Sequence, residues 1–353
     1  MHIEFGSDID TRANREIMRE TGENRLWDGA CLFRSGRDAL RMLAKKLSPV
    51  HTRVFVPALS CMSMIYPFEQ NGIKAVYYPL TRNFTADYGF LDGRLTDGDI
   101  VLYMDYFGIA TERSHEDRKN YFTDKKRQLR NLVTIDDRTH SLRQAMDAGF
   151  SADYMLFSVR KWASLPDGGA LLGKKPLVPV FDAYDGVYRD TKKRAMDLKS
   201  DYLRSGKERT KREFIRLFQE AEEGLGTDNR MIGMSEESVR LLKKIDWGKV
   251  ETRRKSNAEI LFEMLREYAL LPEVKEGPLF FPVTVRNQKT AQQYLAQNGI
   301  YCPVIWPQKE IARDMCAFCG NIAAHMLAVP CDQRYCAQEM EYIGGQVLIA
   351  ARL

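Results

Sequence analysis

Phe157-Ser158-Val159-Arg160-Lys161-Trp162-Ala163-Ser164-Leu165-Pro166-Asp167-Gly168-Gly169-Ala170-Leu171-Leu172 is the stretch around which the chain is read. It joins two short apolar runs, Tyr154 to Phe157 and Ala170 to Leu172, through one lysine and a turn rich in Pro, Asp and Gly. An ammonium sunk between buried strands without a partner loses basicity and costs on the order of several kcal/mol. A chemical purpose would offset that cost, because a neutral lysine amine condenses with an aldehyde to a Schiff base. The plainer alternative is a surface lysine on a loop, and this stretch alone does not separate the two.

Composition sets the class. The chain has 353 residues, 44% hydrophobic and 29% charged, as expected of one large or two medium globular domains. No apolar run approaches the ~20 residues that span a bilayer. The start, Met1-His2-Ile3-Glu4-Phe5-Gly6, lacks the basic-then-apolar order of a signal peptide. Seven scattered cysteines, an odd number, fit reduced thiols in the cytoplasm. A net charge of +5 is mild for this length and gives no nucleic-acid footprint.

Outward from the lysine, strands and helices alternate. Arg53 to Ala58, Ile73 to Pro79, Asp99 to Asp105, Leu132 to Asp136, Tyr154 to Phe157 and Ala170 to Leu172 read as strands. They lack clean polar alternation, the mark of strands covered on both faces. Helical stretches between several of them, such as Arg113 to Arg130, predict an α/β fold with a mostly parallel sheet sandwiched by helices. Ser35-Gly36-Arg37-Asp38-Ala39-Leu40 opens a helix capped by Ser35, and its free N–H groups form a plausible phosphate seat. Such helix starts are common, so the seat is one reading among others. Pro176 to Asn229 is highly charged; the basic runs Lys192-Lys193-Arg194 and Lys207 to Arg212 are interleaved with acids and read as a solvated helical face. From about residue 247 short strands alternate with helices, which predicts a smaller C-terminal α+β domain: 1–246 large, 247–353 small.

In sheets of this kind ligands collect at the carboxyl ends of the strands. Ser60-Cys61, Tyr106-Phe107-Gly108, Asp137 to His140 and Ser158 to Lys161 all fall there. In Asp136-Asp137-Arg138-Thr139-His140 a carboxylate could keep a pyridine nitrogen protonated, or the aspartates could cap the next helix. No Gly-x-Gly-x-x-Gly stands near the first strand, so a dinucleotide site is not expected. Cys316-x-x-Cys319 with Cys331 and Cys336 is too loosely spaced for zinc, and buried free thiols are the preferred reading, with no metal expected.

The order of helix-start seat, acid after a middle strand and lysine after a later one resembles fold-type-I pyridoxal phosphate (PLP) enzymes. Within them the chain is similar to the DegT/DnrJ-type nucleotide-sugar aminotransferases over most of its length. The family's Ser-Gly-Thr-x-Ala-Leu matches Ser35 to Leu40, its Val-Pro-Ala-Tyr-Thr matches Val56 to Ser60, and its Glu-Asp-Ala-Ala-His matches Asp136 to His140. A lysine followed seven and eight residues later by Gly-Gly matches Lys161, Gly168 and Gly169. The resemblance implies that Lys161 carries PLP covalently and that Asp137 faces its pyridine nitrogen. It further implies cofactor contacts for Gly36, Arg37, Ser158, His140 and Cys61.

Several positions depart from the family pattern. Ser158 precedes Lys161 by three residues where five are usual, Cys61 stands where an aromatic commonly stacks on the ring, and Arg37 replaces threonine. The family's Asn-x-Arg-Met-Ser is split into Asn229-Arg230-Met231 and Met234-Ser235. The expectation is a cytoplasmic homodimeric aminotransferase, with glutamate as donor and a keto sugar as acceptor, and with neither nucleic acid nor membrane as partner. Dehydrating relatives carry histidine at the lysine position, which Lys161 opposes. The rival from another class is a non-catalytic relative that keeps the fold as a binding module.

Overall fold

The computed structural model describes residues 4–11, 13–14, 16–142, 152–307 and 309–353. Strand β1 (Phe5–Gly6) is followed by β2 (Cys31–Phe33) and helix α1 (Gly36–Leu47). Then come β3 (Arg53–Pro57), α2 (Met62–Glu69), β4 (Lys74–Tyr78), α3 (Tyr88–Asp92), β5 (Ile100–Met104), α4 (Glu112–Gln128), β6 (Val133–Asp137), β7 (Tyr154–Phe157) and β8 (Gly169–Gly173). Strands β2 to β8 form one sheet in the order β2-β8-β7-β6-β5-β3-β4. The pairs from β4 to β7 are parallel, while β8 and β2 run antiparallel at the edge. The sheet is therefore mostly parallel, as the uninterrupted apolar runs predict. β2 was not among the predicted strands: three residues, Cys-Leu-Phe, are too short for periodicity to show.

The strand period of two sorts side chains onto two faces. On β5, Tyr103 stacks on Phe122 of α4 at 5.3 Å, while the next residue, Met104, lines a cavity on the other face. On β6, paired in register with β5, Asp136 points toward α4 and Asp137 toward the cavity. Helix α1 covers the cavity face. Its Ser35 cap accepts the Asp38 N–H at 3.2 Å and donates to the Asp38 carboxylate at 2.7 Å. Buried Asp38 in turn holds Arg34 through both ends of its fork and Arg41 at 2.9 Å. The start of α1 is fixed by this network as well as by its apolar stripe.

The charged region forms two paired helices, Val187–Ser205 and Glu208–Thr227, around Ala195, Met196, Tyr202, Phe214 and Phe218. The solvated-face reading fails for Lys192 of the first basic run, and Lys199, farther along the same helix and outside that run, is buried too. Lys192 is buried against Asp8 (2.8 Å) and Glu222 (3.1 Å), and Lys199 is buried where it donates to the carbonyl of Asp8. Their shared N-terminal partner, Asp8, lies 184 and 191 residues away in sequence, so local charge pattern could not reveal it. Farther on, helix Trp247–Leu265 leads to the antiparallel pair β9 (Phe281–Thr284) and β11 (Met326–Val329), and the short β10 (Ile300–Tyr301) pairs with β1. One apolar core runs without a break from Phe33 and Leu43 through Phe55 and Leu102 to Phe281, Leu327 and Val347. Among the described residues no helix is long and apolar enough to cross a membrane.

Candidate active site

A cavity of about 820 Å³ opens at the carboxyl ends of β3, β5, β6 and β7. Gly36, Arg37, Cys61, Asp137, His140, Ser158 and Lys161, the seven residues singled out from sequence, all line it. Leu279, Phe280 and the run Tyr301 to Trp306 supply the opposite wall.

Lys161 ends a single 3-10 turn, Val159–Lys161, directly after β7. The turn lifts the lysine out of the sheet, so its side chain is exposed to the cavity rather than sunk between strands. The cost of a buried ammonium therefore does not arise at this position. The turn itself is held from several distant points. The indole N–H of Trp162 donates to the carbonyl of Thr139 at 2.9 Å, and the Gln333 amide donates to the carbonyl of Trp162 at 2.6 Å. The Arg254 guanidinium lies 4.5 Å over the Trp162 ring. Asn14 makes a pair of hydrogen bonds with Ser164, 2.8 and 2.9 Å. Asp167, fully buried, accepts from the backbone and hydroxyl of Ser235 at 2.9 and 2.8 Å. None of these clamps was legible in the sequence, because each joins residues 23 to 171 positions apart.

Gly168 and Gly169 are required by space. A Cβ on Gly169 would stand 2.3 Å from the Ser35 carbonyl carbon and 2.5 Å from the Gly36 nitrogen. One on Gly168 would meet Val159 Cγ2 at 2.7 Å. The absence of both side chains lets the start of α1 lie directly on β8, beside the lysine turn. Ser158 then reaches the same spot: its Cβ is 3.7 Å from the place a Cβ on Gly36 would occupy. The short Ser158–Lys161 spacing is absorbed by the 3-10 turn and leaves Ser158 at the helix start.

Arg37 projects from the first turn of α1 with Nε and Nη1 buried and lacking any hydrogen-bond partner. A guanidinium in that state, beside free helix N–H groups, is suited to an anion. Asp137 is buried and accepts the Thr139 N–H at 2.9 Å. Burial pushes its carboxyl above the usual range, against the opposing effects of the Thr139 bond and the Lys161 charge. Asp136 is committed elsewhere, to Arg138 at 2.9 Å and Arg118 at 3.9 Å. His140 lies flat on Phe107 at 4.5 Å; burial, with Lys161 nearby, drives its pKa well down and keeps it neutral, and its Nδ1 has no partner. Cys61 heads α2 and its sulfur meets the Ser63 hydroxyl at 2.8 Å.

A second polar wall escaped the sequence reading. Arg160, the residue before the lysine, grips Glu222 through both fork nitrogens at 2.8 and 3.2 Å, and Lys192 joins them. Burial would raise the Glu222 carboxyl, but the two cations outweigh it and hold it well below its ordinary range. The split Asn229 to Ser235 segment lies along β2 of its own chain. Arg34 N–H donates to the Ile232 carbonyl and Met234 N–H to that of Leu32.

No protein-family model matches the sequence, and no curated protein matches it either. Solved structures do match. The Streptococcus pneumoniae protein Spr1654, assigned as a sugar aminotransferase, superposes in its apo form with a TM-score of 0.67 at 15% identity, covering 99% of this chain and 98% of that one. Its PLP form gives 0.67 at 14% identity over 99% of each chain. Helicobacter pylori PseC, an aminotransferase of pseudoaminic acid biosynthesis, gives 0.64 at 14% identity over 99% of both chains. A DegT DnrJ EryC1 StrS aminotransferase of Brucella abortus gives 0.56 at 16% identity, over 91% of this chain and 86% of that one. The chain has their fold. It is the fold-type-I arrangement that the sequence resembles.

Proposed function

We propose that this protein is a PLP-dependent aminotransferase that moves an amino group from an amino acid to the carbonyl of a sugar. What supports the reading most is the gathering of Lys161, Asp137, Gly36, Arg37 and Ser158 on one cavity, with two buried, unpartnered nitrogens of the Arg37 guanidinium beside the helix start. The residues fit the cofactor chemically: a reachable amine, a buried carboxylate and an anion seat. Bound there, PLP supplies an aldehyde that takes the amino group and a pyridinium ring that draws electrons from the bond being broken.

Each side chain then has a separate task. Lys161 Nζ, exposed in the cavity, would hold the cofactor and afterwards carry a proton at the donor's α-carbon. Asp137, fixed by Thr139, would keep a proton on the ring nitrogen; in its buried setting the attraction between carboxylate and ring N–H is stronger than in water. The α1 N–H groups, Arg37 and Ser158 would bind the phosphate. His140, neutral and with a free Nδ1, and Cys61 would flank the ring. Glutamate as donor, a keto sugar as acceptor, assembly as a homodimer, and a division at 246/247 complete the reading.

Titration of the apo protein with PLP tests it. The wild type should gain a visible absorption band, and L-glutamate should bleach it. Arg37→Ala should bind PLP about 10- to 100-fold more weakly, the effect of losing about 1.5–3 kcal/mol of charge-assisted hydrogen bonding. Its folding stability should change by no more than about 0.5 kcal/mol. Equal PLP affinities would remove Arg37 from the phosphate seat, and a band that no amino acid bleaches would count against amino transfer.

A further inference from the structure

Cys316 and Cys319 stand at the N-cap and third residue of helix Ala317–His325. Cys316 is partly exposed, and its sulfur accepts the Cys319 backbone N–H at 3.2 Å, within the positive end of the helix. Cys319 is fully buried beneath it, and the two sulfurs face the same backbone residue, Leu80. Burial, with Cys316 alongside, pushes the Cys319 thiol up to about 12, so it keeps its proton at rest. Both sulfurs also hold Leu80, just beyond β4 of the large sheet. Cys319 Sγ accepts the Leu80 N–H at 3.4 Å, and Cys316 Sγ lies 3.8 Å from the Leu80 carbonyl oxygen. The Cys331 thiol donates to the Pro278 carbonyl and the Cys336 thiol to the Gln338 side chain, and among the described residues no group of three or more potential ligands could hold a metal.

We propose that Cys316 and Cys319 are a redox-active dithiol that closes to a disulfide by exchange with a low-molecular-weight disulfide of the glutathione type. The partly exposed Cys316 gives its proton to water and attacks one sulfur of that disulfide as the thiolate; a mixed disulfide forms and one small thiolate leaves. Cys319 then attacks the Cys316 sulfur, the mixed S–S bond breaks, and the Cys319 proton goes to the second departing thiolate. Two protein thiols are oxidised to one disulfide, and one small disulfide is reduced to two thiols. Joining the sulfurs withdraws them from Leu80, so oxidation loosens the attachment of this helix to the edge of the large sheet. The proposal is independent of the catalytic reading.

The folded protein is equilibrated in glutathione buffers of stepped composition, alkylated, digested and mapped by mass spectrometry. The wild type should lose two of its seven thiols in one two-electron step, with Cys316 linked to Cys319. Cys319→Ser should instead trap glutathione on Cys316, Cys316→Ser should show neither product, and Cys336→Ser should behave as wild type. The Leu80 amide should exchange with deuterium about five- to tenfold faster in the oxidised protein. A wild type that forms no Cys316–Cys319 link, or that stops at a mixed disulfide, overturns the dithiol; an unchanged Leu80 rate overturns its coupling to the sheet.

Discussion

Lys161→Ala is expected to lower amino-transfer turnover by at least about 10,000-fold while leaving the fold intact. The size follows from two losses at one atom. Nζ is the lysine amine that the turn after β7 presents to the cavity, and on the proposed reading its removal would take away both the covalent hold on the cofactor and the proton carrier. General acid–base catalysis alone is worth about 100- to 10,000-fold, so the combined loss should sit at or beyond the top of that range. Stability should move little, because the side chain is exposed and the turn is held by Trp162, Ser164 and Asp167 rather than by the lysine. Steady-state kinetics with a thermal melt on the same preparation checks both halves. Turnover within about tenfold of wild type would place the reacting amine elsewhere.

Asp137→Asn should retain PLP yet lose about 100- to 1,000-fold in turnover, or about 2.7–4 kcal/mol of transition-state stabilisation, the usual effect of deleting a preorganised charge partner. An amide matches the carboxylate in shape but cannot hold the ring-nitrogen proton. The same substitution should leave stability equal or slightly higher. Burial raises the Asp137 pKa, so folding favours its protonated form. Stability from this group is thus present at low pH and is lost as pH rises through the folded pKa. Asparagine removes that dependence. PLP titration, turnover and melts at two pH values separate the effects, and near-wild-type turnover would assign Asp137 to its bond with Thr139 alone.

How far sequence reaches is clear from particular residues. The family match alone singles out Asp137 over Asp136, and the structure sends Asp137 to the cavity and Asp136 to Arg118 and Arg138. The Ser35 cap and the sterically tight Gly169 are likewise local properties, visible as a capping residue and a Gly-Gly pair. Contacts that close over long sequence distance were not legible. Examples are Asp8 with Lys192, Asn14 with Ser164, and Arg254 and Gln333 around Trp162. Burial of Lys192 and Lys199 turned on acceptors contributed by the N-terminal segment, which no window of the charged helix contains. Edge strands as short as β1 and β2 carry too few residues for a periodic pattern.

Reduction of the PLP-loaded protein with borohydride, followed by digestion and mass mapping, tests the central claim most directly. The covalent link becomes permanent on whichever lysine carries the cofactor. A pyridoxyl group on Lys161 alone, with loss of the visible band, is the result predicted here. Label on Lys192, Lys199 or a surface lysine, or a protein that stays colourless and unlabelled after incubation with PLP, would contradict it.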